Sequence, residues 1–312
     1  MRSPRHPTAA EPGRNLPLDA HLHTDLSPDS DVPVDVYAAL ALERGIGELA
    51  ITDHVDFDAR DPAFNYASFE QRERTVRDAA ERWAPRGVQI RFGAELTYNR
   101  TWEDDLRAHL ARHRYDFTIG SVHDWPDSPY TTSRVRTWAT GRPLAEVLAP
   151  YLAEVAAASA TGLFDTIGHL DVVRRYLHAQ FSAAEIFEAV ELFEPALRAM
   201  VDSGTALEVN SSGYRRTGGQ AYPGPPLVAR YRELGGRRVT AGSDAHGAHQ
   251  FAFGLEAAYR VLADAGYATL AFRRGADRVD VGIPERLRGA EPGAEPGTEP
   301  GTEPGAGPGA GP

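Results

Sequence analysis

The chain has 312 residues and a formal net charge of −11, with 42% hydrophobic and 25% charged residues. This is the composition of a soluble globular protein, and its acidic balance argues against a general binder of nucleic acid or anionic membranes. There is no cysteine and no lysine, which excludes disulfides, thiolate metal sites and lysine chemistry. A cytoplasmic location is expected, because neither a membrane span nor a signal peptide is recognisable.

The two ends of the chain differ in composition from its body. Residues 1–17 are rich in proline and arginine without periodicity, and they predict a disordered N-terminal arm. Residues 289–312 form a Gly/Pro/Glu repeat with nothing to bury, which predicts a solvated, disordered tail. Residues 18–288 contain no obvious linker and are predicted to form one domain.

Short apolar runs alternate with amphipathic segments throughout the body. The runs predict strands and the segments predict helices, an alternation that is typical of a parallel sheet in an α/β protein. Seven such units favour a barrel over an open sheet. In chain order the strands are predicted at 18–23, 48–54, 88–96, 117–123, 164–170, 206–211 and 238–244, and the helices at 34–44, 69–83, 143–160, 182–202 and 226–234.

Each predicted strand ends in side chains of the kinds that bind metals. In barrels of this type the working residues lie at the carboxyl ends of the strands. His21 and His23 are two residues apart, so they point to the same face of a strand and can bind one ion together. The polar strand ends carry His21, His23, His54, Glu95, His123, His169, Asn210, Asp244 and His246.

These ligands predict a metal centre. Imidazole and carboxylate without thiolate suit Zn, Mn or Fe in a hydrolytic site. The set is too large for one catalytic ion, which keeps an open position, so two or three divalent transition metals about 3.5–4 Å apart are expected. Among the other histidines, His109 and His113 are expected on a solvated helix face, and His178 and His249 at the surface, with lining of the site as the alternative for His249, which lies close to the last motif.

In order and spacing, the motifs resemble those of the polymerase-and-histidinol-phosphatase (PHP) superfamily, and its monofunctional histidinol-phosphatase branch in particular. The resemblance covers roughly residues 18–262. The branch is favoured by Gly-Leu-Phe-Asp at 162–165 and by Ser-Ser-Gly-Tyr-Arg at 211–215 followed by Tyr-Pro. The shared motifs are His-x-His at 21–23, Thr-Asp-His at 52–54, Gly-Ala-Glu-Leu at 93–96, Ser-Val-His at 121–123, Gly-His-Leu-Asp at 168–171, Glu-Val-Asn at 208–210 and Gly-Ser-Asp-Ala-His at 242–246.

The resemblance implies a distorted seven-stranded (β/α) barrel, similar to a TIM barrel, with a trinuclear metal site. Asp29 matches a family ligand because it lies six residues after His23 in a His-Thr-x-x-Ser-x-Asp pattern, although Asp25 and Asp31 are alternatives. The implied ligands are His21, His23, Glu95 and Asp244 for one ion, Glu95, His123 and His169 for a second, and Asp29, His54 and His246 for the third.

The resemblance also implies a reaction. It is the hydrolysis of L-histidinol phosphate to L-histidinol and phosphate in histidine biosynthesis, with Glu95, Asp244 and His246 as catalytic residues and a metal-bound hydroxide attacking phosphorus in line. Guanidinium binds phosphate bidentately, so Arg174 and Arg215 are predicted to bind the substrate, with Arg175 and Arg216 as alternatives. Tyr98, Trp125 and Asp127 are candidates for the wall that faces the amine and imidazole of the substrate.

Other functions are less consistent with the sequence. A PHP phosphoesterase for another small phosphomonoester, such as a nucleotide or sugar phosphate, would use the same residues. A nuclease is disfavoured by the net charge and by the lack of a polymerase domain, and an amidohydrolase with a carbamylated lysine is excluded. A decayed, non-catalytic site would lack ligands, and none is missing. A small-molecule partner is expected, without nucleic acid or membrane, and the oligomeric state stays open.

Overall fold

The protein forms an α/β barrel, which confirms the fold predicted from the strand–helix alternation. The computed structural model describes residues 13–123, 128–130, 134–216 and 219–288. Seven parallel strands follow one another around the barrel in the order β1-β2-β4-β5-β6-β7-β8, and the short β3 pairs with β4. The strands are β1 (Leu18–Leu22), β2 (Glu48–Ile51), β3 (His54–Val55), β4 (Gln89–Thr97), β5 (Phe117–Ser121), β6 (Thr166–Ile167), β7 (Ala206–Asn210) and β8 (Val239–Gly242).

The barrel closes where the chain leaving β8 meets β1. The amide of Asp244 donates to the carbonyl of His21 at 2.8 Å, and the amide of His23 donates to the carbonyl of Ala245 at 3.0 Å. Leu22 and Ala245 pair in parallel. We call this junction, residues 21–23 with 244–245, the seam; it joins the first strand of the barrel to the last.

Helices follow most of the strands and pack their apolar faces against the barrel. Local signals fix several of their ends: Ser68 caps α2 by accepting from the amide of Gln71, and α1 ends at Gly45 in the left-handed conformation. The helix predicted at 182–202 is divided at Ala189. The helices are α1 (Val34–Arg44), α2 (Phe69–Trp83), α3 (Glu103–Arg112), α4 (Arg134–Ala139), α5 (Leu144–Ala160), α6 (Ala183–Glu188), α7 (Val190–Ser203), α8 (Pro225–Glu233) and α9 (Leu255–Asp264).

A β-hairpin after α9, absent from the expectation, closes the amino end of the barrel. It consists of β9 (Thr269–Arg274) and β10 (Asp277–Gly282), joined by a two-residue turn that starts at Gly275 with a φ of 66°. Phe272 packs against Phe117 at the start of β5, with ring centroids 4.6 Å apart. Arg274 pairs with Glu48 at the start of β2. This end of the barrel is therefore covered.

Five described residues of the predicted N-terminal arm lie on the body. Leu16 is buried, the amide of Gly13 donates to the carbonyl of Ala252 at 2.8 Å, and that of Asn15 to Arg44 at 2.8 Å. The rest of the predicted arm and the predicted tail at 289–312 lie outside the described residues. Among the described helices, none has the length and apolar character that crossing a membrane requires.

Candidate metal centre and active-site cavity

The residues predicted as metal ligands meet at the carboxyl end of the barrel. A cavity of about 1010 Å³ opens there, and seven of the nine residues line it. His21 and His23 lie just behind the wall and are completely buried. The parallel strands bring together residues that are up to 225 positions apart in the sequence, from His21 to His246.

Glu95 lies at the centre of the cluster. It is 1% exposed, near the end of β4, where its amide donates to the carbonyls of Thr52 and Asp53 at 3.1 and 3.3 Å. The strand predicted at 48–54 is divided into β2 and β3, and both pair with β4 in the same register. Within 3.4 Å of its two carboxylate oxygens lie ring nitrogens of five histidines: His21, His23, His54, His123 and His169.

The first group of donors spans the seam. The Nε2 atoms of His21 and His23 are 3.0 Å apart. Oε2 of Glu95 lies 3.4 Å from each of them, and Oδ1 of Asp244 lies 3.7 and 3.5 Å from them. These four side chains, predicted for one ion, therefore aim their donor atoms at one small volume.

The second group uses the other carboxylate oxygen of Glu95. Oε1 lies 2.9 Å from Nε2 of His169 and 3.3 Å from Nε2 of His123. Ser121 donates its hydroxyl to the same oxygen at 2.5 Å. Thr97 lies 3.2 Å from the remaining ring nitrogen of His123 and helps to orient it. The two oxygens of Glu95 thus face different histidines, as a bridging ligand requires.

The third group lies nearer the mouth of the cavity. Oδ2 of Asp29 is 3.1 Å from Nε2 of His246 and 3.4 Å from Nε2 of His54, and these two nitrogens are 3.4 Å apart. The three candidate aspartates are all exposed on one loop, and Asp29 is the one that has this position. His23 also reaches His54 and His246 closely enough to form a metal-sized group with them.

Buried polar residues around these donors fix their orientation. Glu208 lies 2.7 Å from Nδ1 of His21, and its other oxygen accepts from the amide of His169 at 2.8 Å. Asn210 donates to Glu208 and to Asp244, both at 3.2 Å. The Glu-Val-Asn motif was visible in the sequence, but these orienting roles were not.

Asp53, between Thr52 and His54, fixes the loop that carries Asp29. Its carboxylate accepts from the amide and hydroxyl of Thr24 at 2.6 and 2.8 Å and from the hydroxyl of Ser27 at 3.1 Å. Ser27 in turn accepts from the amide of His54 at 2.9 Å. The Thr-Asp-His and His-Thr-x-x-Ser-x-Asp patterns therefore form one hydrogen-bonded unit.

Two ligand candidates have backbone conformations that are uncommon for residues with a side chain. The φ angles of His169 and Asp244 are 26° and 52°. At His169 this turn ends the regular strand, so only β6 remains of the strand predicted at 164–170. Gly242 leaves no room for a side chain, because a Cβ there would lie 2.2 Å from Cβ of His21.

The charges in the cluster are strongly coupled. Burial favours a raised pKa for the carboxyl of Glu95, but the surrounding imidazoles hold it well below its usual range. Burial disfavours the charged form of His54, yet Glu95 and Asp29 raise its pKa to about 10. Burial and two neighbouring imidazoles lower the pKa of His23. Protons on the imidazoles thus supply positive charge that the carboxylates require.

A divalent metal fits this donor set. The ring nitrogens of His21 and His23 face one another at 3.0 Å beside two carboxylates, in a place that no solvent reaches. Cations bound there would satisfy these nitrogens and replace the protons, because a histidine must be neutral to ligate. Nitrogen and oxygen donors without sulfur suit Zn, Mn or Fe.

The predicted phosphate-binding arginines differ in position. Arg215 lines the cavity, and its terminal nitrogens donate to the carbonyls of Ser243 and Asp244, both at 2.8 Å. Arg174 does not contribute to the lining; it donates to the carbonyl of Gln220 at 2.8 Å and lies over the ring of Tyr222. The position of Arg174 does not support the predicted role, and both alternatives, Arg175 and Arg216, line the cavity.

Of the three candidates for the substrate-facing wall, the structure describes Tyr98. Tyr98 is buried, donates to Glu103 at 2.7 Å and does not contribute to the lining. Trp125 and Asp127 lie outside the described residues. His249 lines the cavity, as considered, and His178 is exposed. Acidic and aromatic side chains that no sequence motif indicated line the cavity from loops and helices: Asp56, Asp61, Tyr130, Tyr151 and Tyr176.

Comparison with known proteins agrees with this geometry. A probable histidinol-phosphatase from Deinococcus radiodurans is 30% identical over 261 residues, which is 82% of this chain and 96% of the relative. Its counterpart in Thermotoga maritima is 26% identical over 255 residues, or 81% of this chain and 94% of the relative. The crystal structure of histidinol phosphate phosphatase from Lactococcus lactis, complexed with zinc, L-histidinol and phosphate, has the same fold; its TM-score is 0.71 at 22% identity, covering 84% of this chain and 98% of that one.

The PHP domain family matches residues 19–212. That segment exceeds half of the chain and contains six of the seven motifs, from His-x-His to Glu-Val-Asn. The seventh, with Asp244 and His246, completes the cluster across the seam. The chain belongs to the PHP domain family.

Proposed function

We propose that this protein is a metal-dependent phosphatase that hydrolyses L-histidinol phosphate to L-histidinol and phosphate in histidine biosynthesis. The observation that carries the proposal is a cluster of nine residues with nitrogen and oxygen donors, seven of which line one cavity with a guanidinium, that of Arg215, in its wall. The names of the relatives support the substrate. The cytoplasmic location expected from the sequence stays a prediction.

The cluster would hold two or three divalent transition metals. Zinc is the metal in the Lactococcus lactis structure, and Mn and Fe suit the same donors. When bound, such ions activate water and neutralise charge on the phosphoryl oxygens. We assign His21, His23, Glu95 and Asp244 to one ion, Glu95, His123 and His169 to a second, and Asp29, His54 and His246 to a third.

Arg215 would bind the phosphate. Two of its N–H groups are committed to carbonyls at the seam, so the guanidinium is held in one orientation. A guanidinium carries five N–H donors, and those that remain are available to phosphoryl oxygens in the cavity. Arg175 and Arg216 add positive charge to the same lining. Arg174 would act indirectly, by packing beneath Tyr222.

The other end of the substrate carries an amine and an imidazole. Asp56 and Asp61 line the same cavity and offer carboxylates to these groups. Tyr130, Tyr151 and Tyr176 offer rings against which an imidazole can stack. These side chains would form the acidic and aromatic wall that such a substrate favours.

Phosphate release from a panel of phosphomonoesters tests the proposal. The panel includes L-histidinol phosphate, nucleotides and sugar phosphates, with protein loaded with Zn, Mn or Fe. We expect L-histidinol phosphate to be preferred, a chelator to abolish activity, and added metal to restore it. If the metal-loaded enzyme cleaves another phosphomonoester but not L-histidinol phosphate, the proposed substrate is wrong and the proposed phosphatase activity stands.

A pair of variants tests the phosphate site. Arg215→Ala should raise KM for every phosphomonoester by roughly 10- to 100-fold, the loss of a charge-assisted hydrogen bond of about 1.5–3 kcal/mol, with unchanged metal content. The control, Arg142→Ala, removes an arginine that pairs with Glu146 on the surface, and should leave KM unchanged. Equal KM values for both variants would show that Arg215 does not bind phosphate.

A further inference from the structure

A second cavity of about 600 Å³ lies beside the active-site cavity. It is enclosed by the segment after β3, by α2 and by α3. Much of its wall is aromatic: Phe57, Phe69, Trp102 and Tyr115 line it together with His109 and His113. The rings contact one another, since His113 stacks on Phe69 with centroids 4.1 Å apart and Phe57 meets His109 edge to face at 5.6 Å. The two histidines, expected on a solvated face, are thus half-buried here.

A buried arginine faces this cavity. Arg72, on the inner face of α2, lines it and is only 4% exposed. Throughout the part of the chain that the structure describes, the guanidinium has no hydrogen bond or ion pair, and its Nε is buried without a partner. Asp53, an acidic side chain that acts on its charge, is bonded instead to Thr24 and Ser27.

An unpaired buried charge is costly. Arginine stays protonated at any physiological pH, and a buried charge without a partner destabilises a fold. Two other arginines of α2 show the usual solution: Arg77 pairs with Asp116, and Arg82 pairs with Asp35. No described acidic side chain pairs with Arg72, and the cavity beside it has room for an anion.

We propose that this cavity binds a small aromatic carboxylate, with the carboxylate on Arg72 and the ring against Phe57, Phe69 and His113. A planar guanidinium takes a carboxylate bidentately, and a single buried positive charge balances a monoanion. Besides Arg72, the lining carries an exposed arginine, Arg112, and three acidic side chains, which outnumber the two arginines and disfavour a dianion such as a phosphomonoester: Asp56, Glu70 and Asp105. The aromatic rings in the wall suit a flat ring.

The site differs from the metal centre. None of the nine proposed metal ligands lines the second cavity. The two cavities share only Asp56 and Ala63 among the residues that line both, so the segment after β3 forms the wall between them. A ligand of this cavity would occupy space that the proposed phosphatase reaction does not use.

Calorimetric titration of the metal-loaded protein with benzoate tests the proposal, and quenching of Trp102 fluorescence gives a second readout. Benzamide lacks the charge and cyclohexanecarboxylate lacks the aromatic ring. We expect benzoate to bind at least about tenfold more tightly than either, as a charge-assisted hydrogen bond and an aromatic contact predict. No benzoate binding at millimolar concentrations would overturn the proposal.

The variant Arg72→Met separates a ligand-binding role from a structural one. It should lose benzoate binding by at least about tenfold, and its Tm without benzoate should be equal or higher, because an unpaired buried charge is removed. The control Arg77→Met breaks the pair with Asp116, so it should lower Tm and keep benzoate binding. A lower Tm for Arg72→Met with unchanged affinity would mean that Arg72 is structural.

A second variant serves if Arg72→Met does not fold. Ala67 lines the cavity and is partly exposed, so Ala67→Trp fills the space without altering Arg72 or the metal ligands. It should abolish benzoate binding and leave phosphatase activity intact. Benzoate affinity that persists in this variant would assign the anion to the active-site cavity and refute the second site.

Discussion

Replacing Glu95 with glutamine keeps the shape of the side chain but removes the negative charge at the centre of the cluster. The carboxylate oxygens lie 2.9–3.4 Å from nitrogens of five imidazoles, and Ser121 donates to Oε1 at 2.5 Å. A glutamine places an NH₂ group at one of these two oxygen positions. That group cannot accept from Ser121 or bind a cation, so at least one proposed ion loses its bridging ligand.

The size of the effect follows from the burial of Glu95. Removing one partner from a buried charge pair costs about 3–5 kcal/mol, because the remaining charge is left uncompensated. Since about 1.4 kcal/mol corresponds to a factor of ten, metal affinity should fall by roughly two to three and a half orders of magnitude. Activity at a fixed, limiting metal concentration should fall at least as far, because both proposed ions that share Glu95 are affected.

The assay compares bound metal and turnover in three proteins. Wild type, Glu95→Gln and Glu103→Gln are equilibrated at the same free zinc concentration, and bound metal is measured by mass spectrometry beside the rate of phosphate release. Glu103 is a matched control: its half-buried carboxylate accepts from Tyr98 and pairs with Arg107, away from the cavity. Its variant should retain wild-type metal content and a rate within about twofold, as for a surface pair.

The bridging assignment fails if Glu95→Gln keeps full metal content and a rate close to that of Glu103→Gln. Loss of activity without loss of metal would also contradict it, because Glu95 would then act on the substrate and not as a ligand. Loss of both, with a far-ultraviolet circular dichroism spectrum like that of wild type, is the expected result.

Three further outcomes are expected. Glu208→Gln should lower metal affinity about 10- to 100-fold, as for other partners that orient a ligating histidine, because His21 loses the carboxylate 2.7 Å from its Nδ1; metal titration checks this. Burial and nearby positive charges lower the pKa of His109 from 6.5 to about 4, so as pH falls through this window the unfolded chain binds a proton that the folded chain does not, and stability falls. Urea unfolding of wild type and His109→Gln above pH 6.5 and near pH 4 should show a smaller loss in the variant, and an equal loss would refute the shift. Gly242→Ala should displace His21 and lose metal, whereas Gly282→Ala, where a Cβ meets nothing within 4 Å, should bind metal normally in the same titration.

The barrel and the convergence of the ligands were predictable because both follow from local patterns. The strand–helix alternation predicts the parallel sheet, and a parallel sheet gathers the ends of its strands whatever their separation in sequence. Glu95 and His169 are 74 residues apart and are placed together by this rule alone. The spacing of two between His21 and His23 fixed their common face.

Residues on loops and helices were harder to place. Arg174 and Arg175 are neighbours on a short 3₁₀ turn, so the direction of each side chain depends on a local geometry that a sequence pattern does not specify. The same holds for Asp56 and Asp61 in the cavity wall. The hairpin after α9 carried a signal, since Gly275 separates two short runs of strand-forming residues. The hairpin contributes no metal ligand, so the pattern of strands that end in ligand residues does not predict it.

The seam has a consequence for how the protein is made. The donors proposed for the first ion, His21 and Asp244, lie on its two sides and are separated by 223 residues. During synthesis His21 leaves the ribosome long before Asp244, so a growing chain cannot assemble this site until β8 has docked. A metal held there would cross-link the first and last strands of the barrel and so stabilise its closure. Removing it should therefore increase amide hydrogen exchange first around residues 21–23 and 244–245, while the far end under the hairpin stays protected.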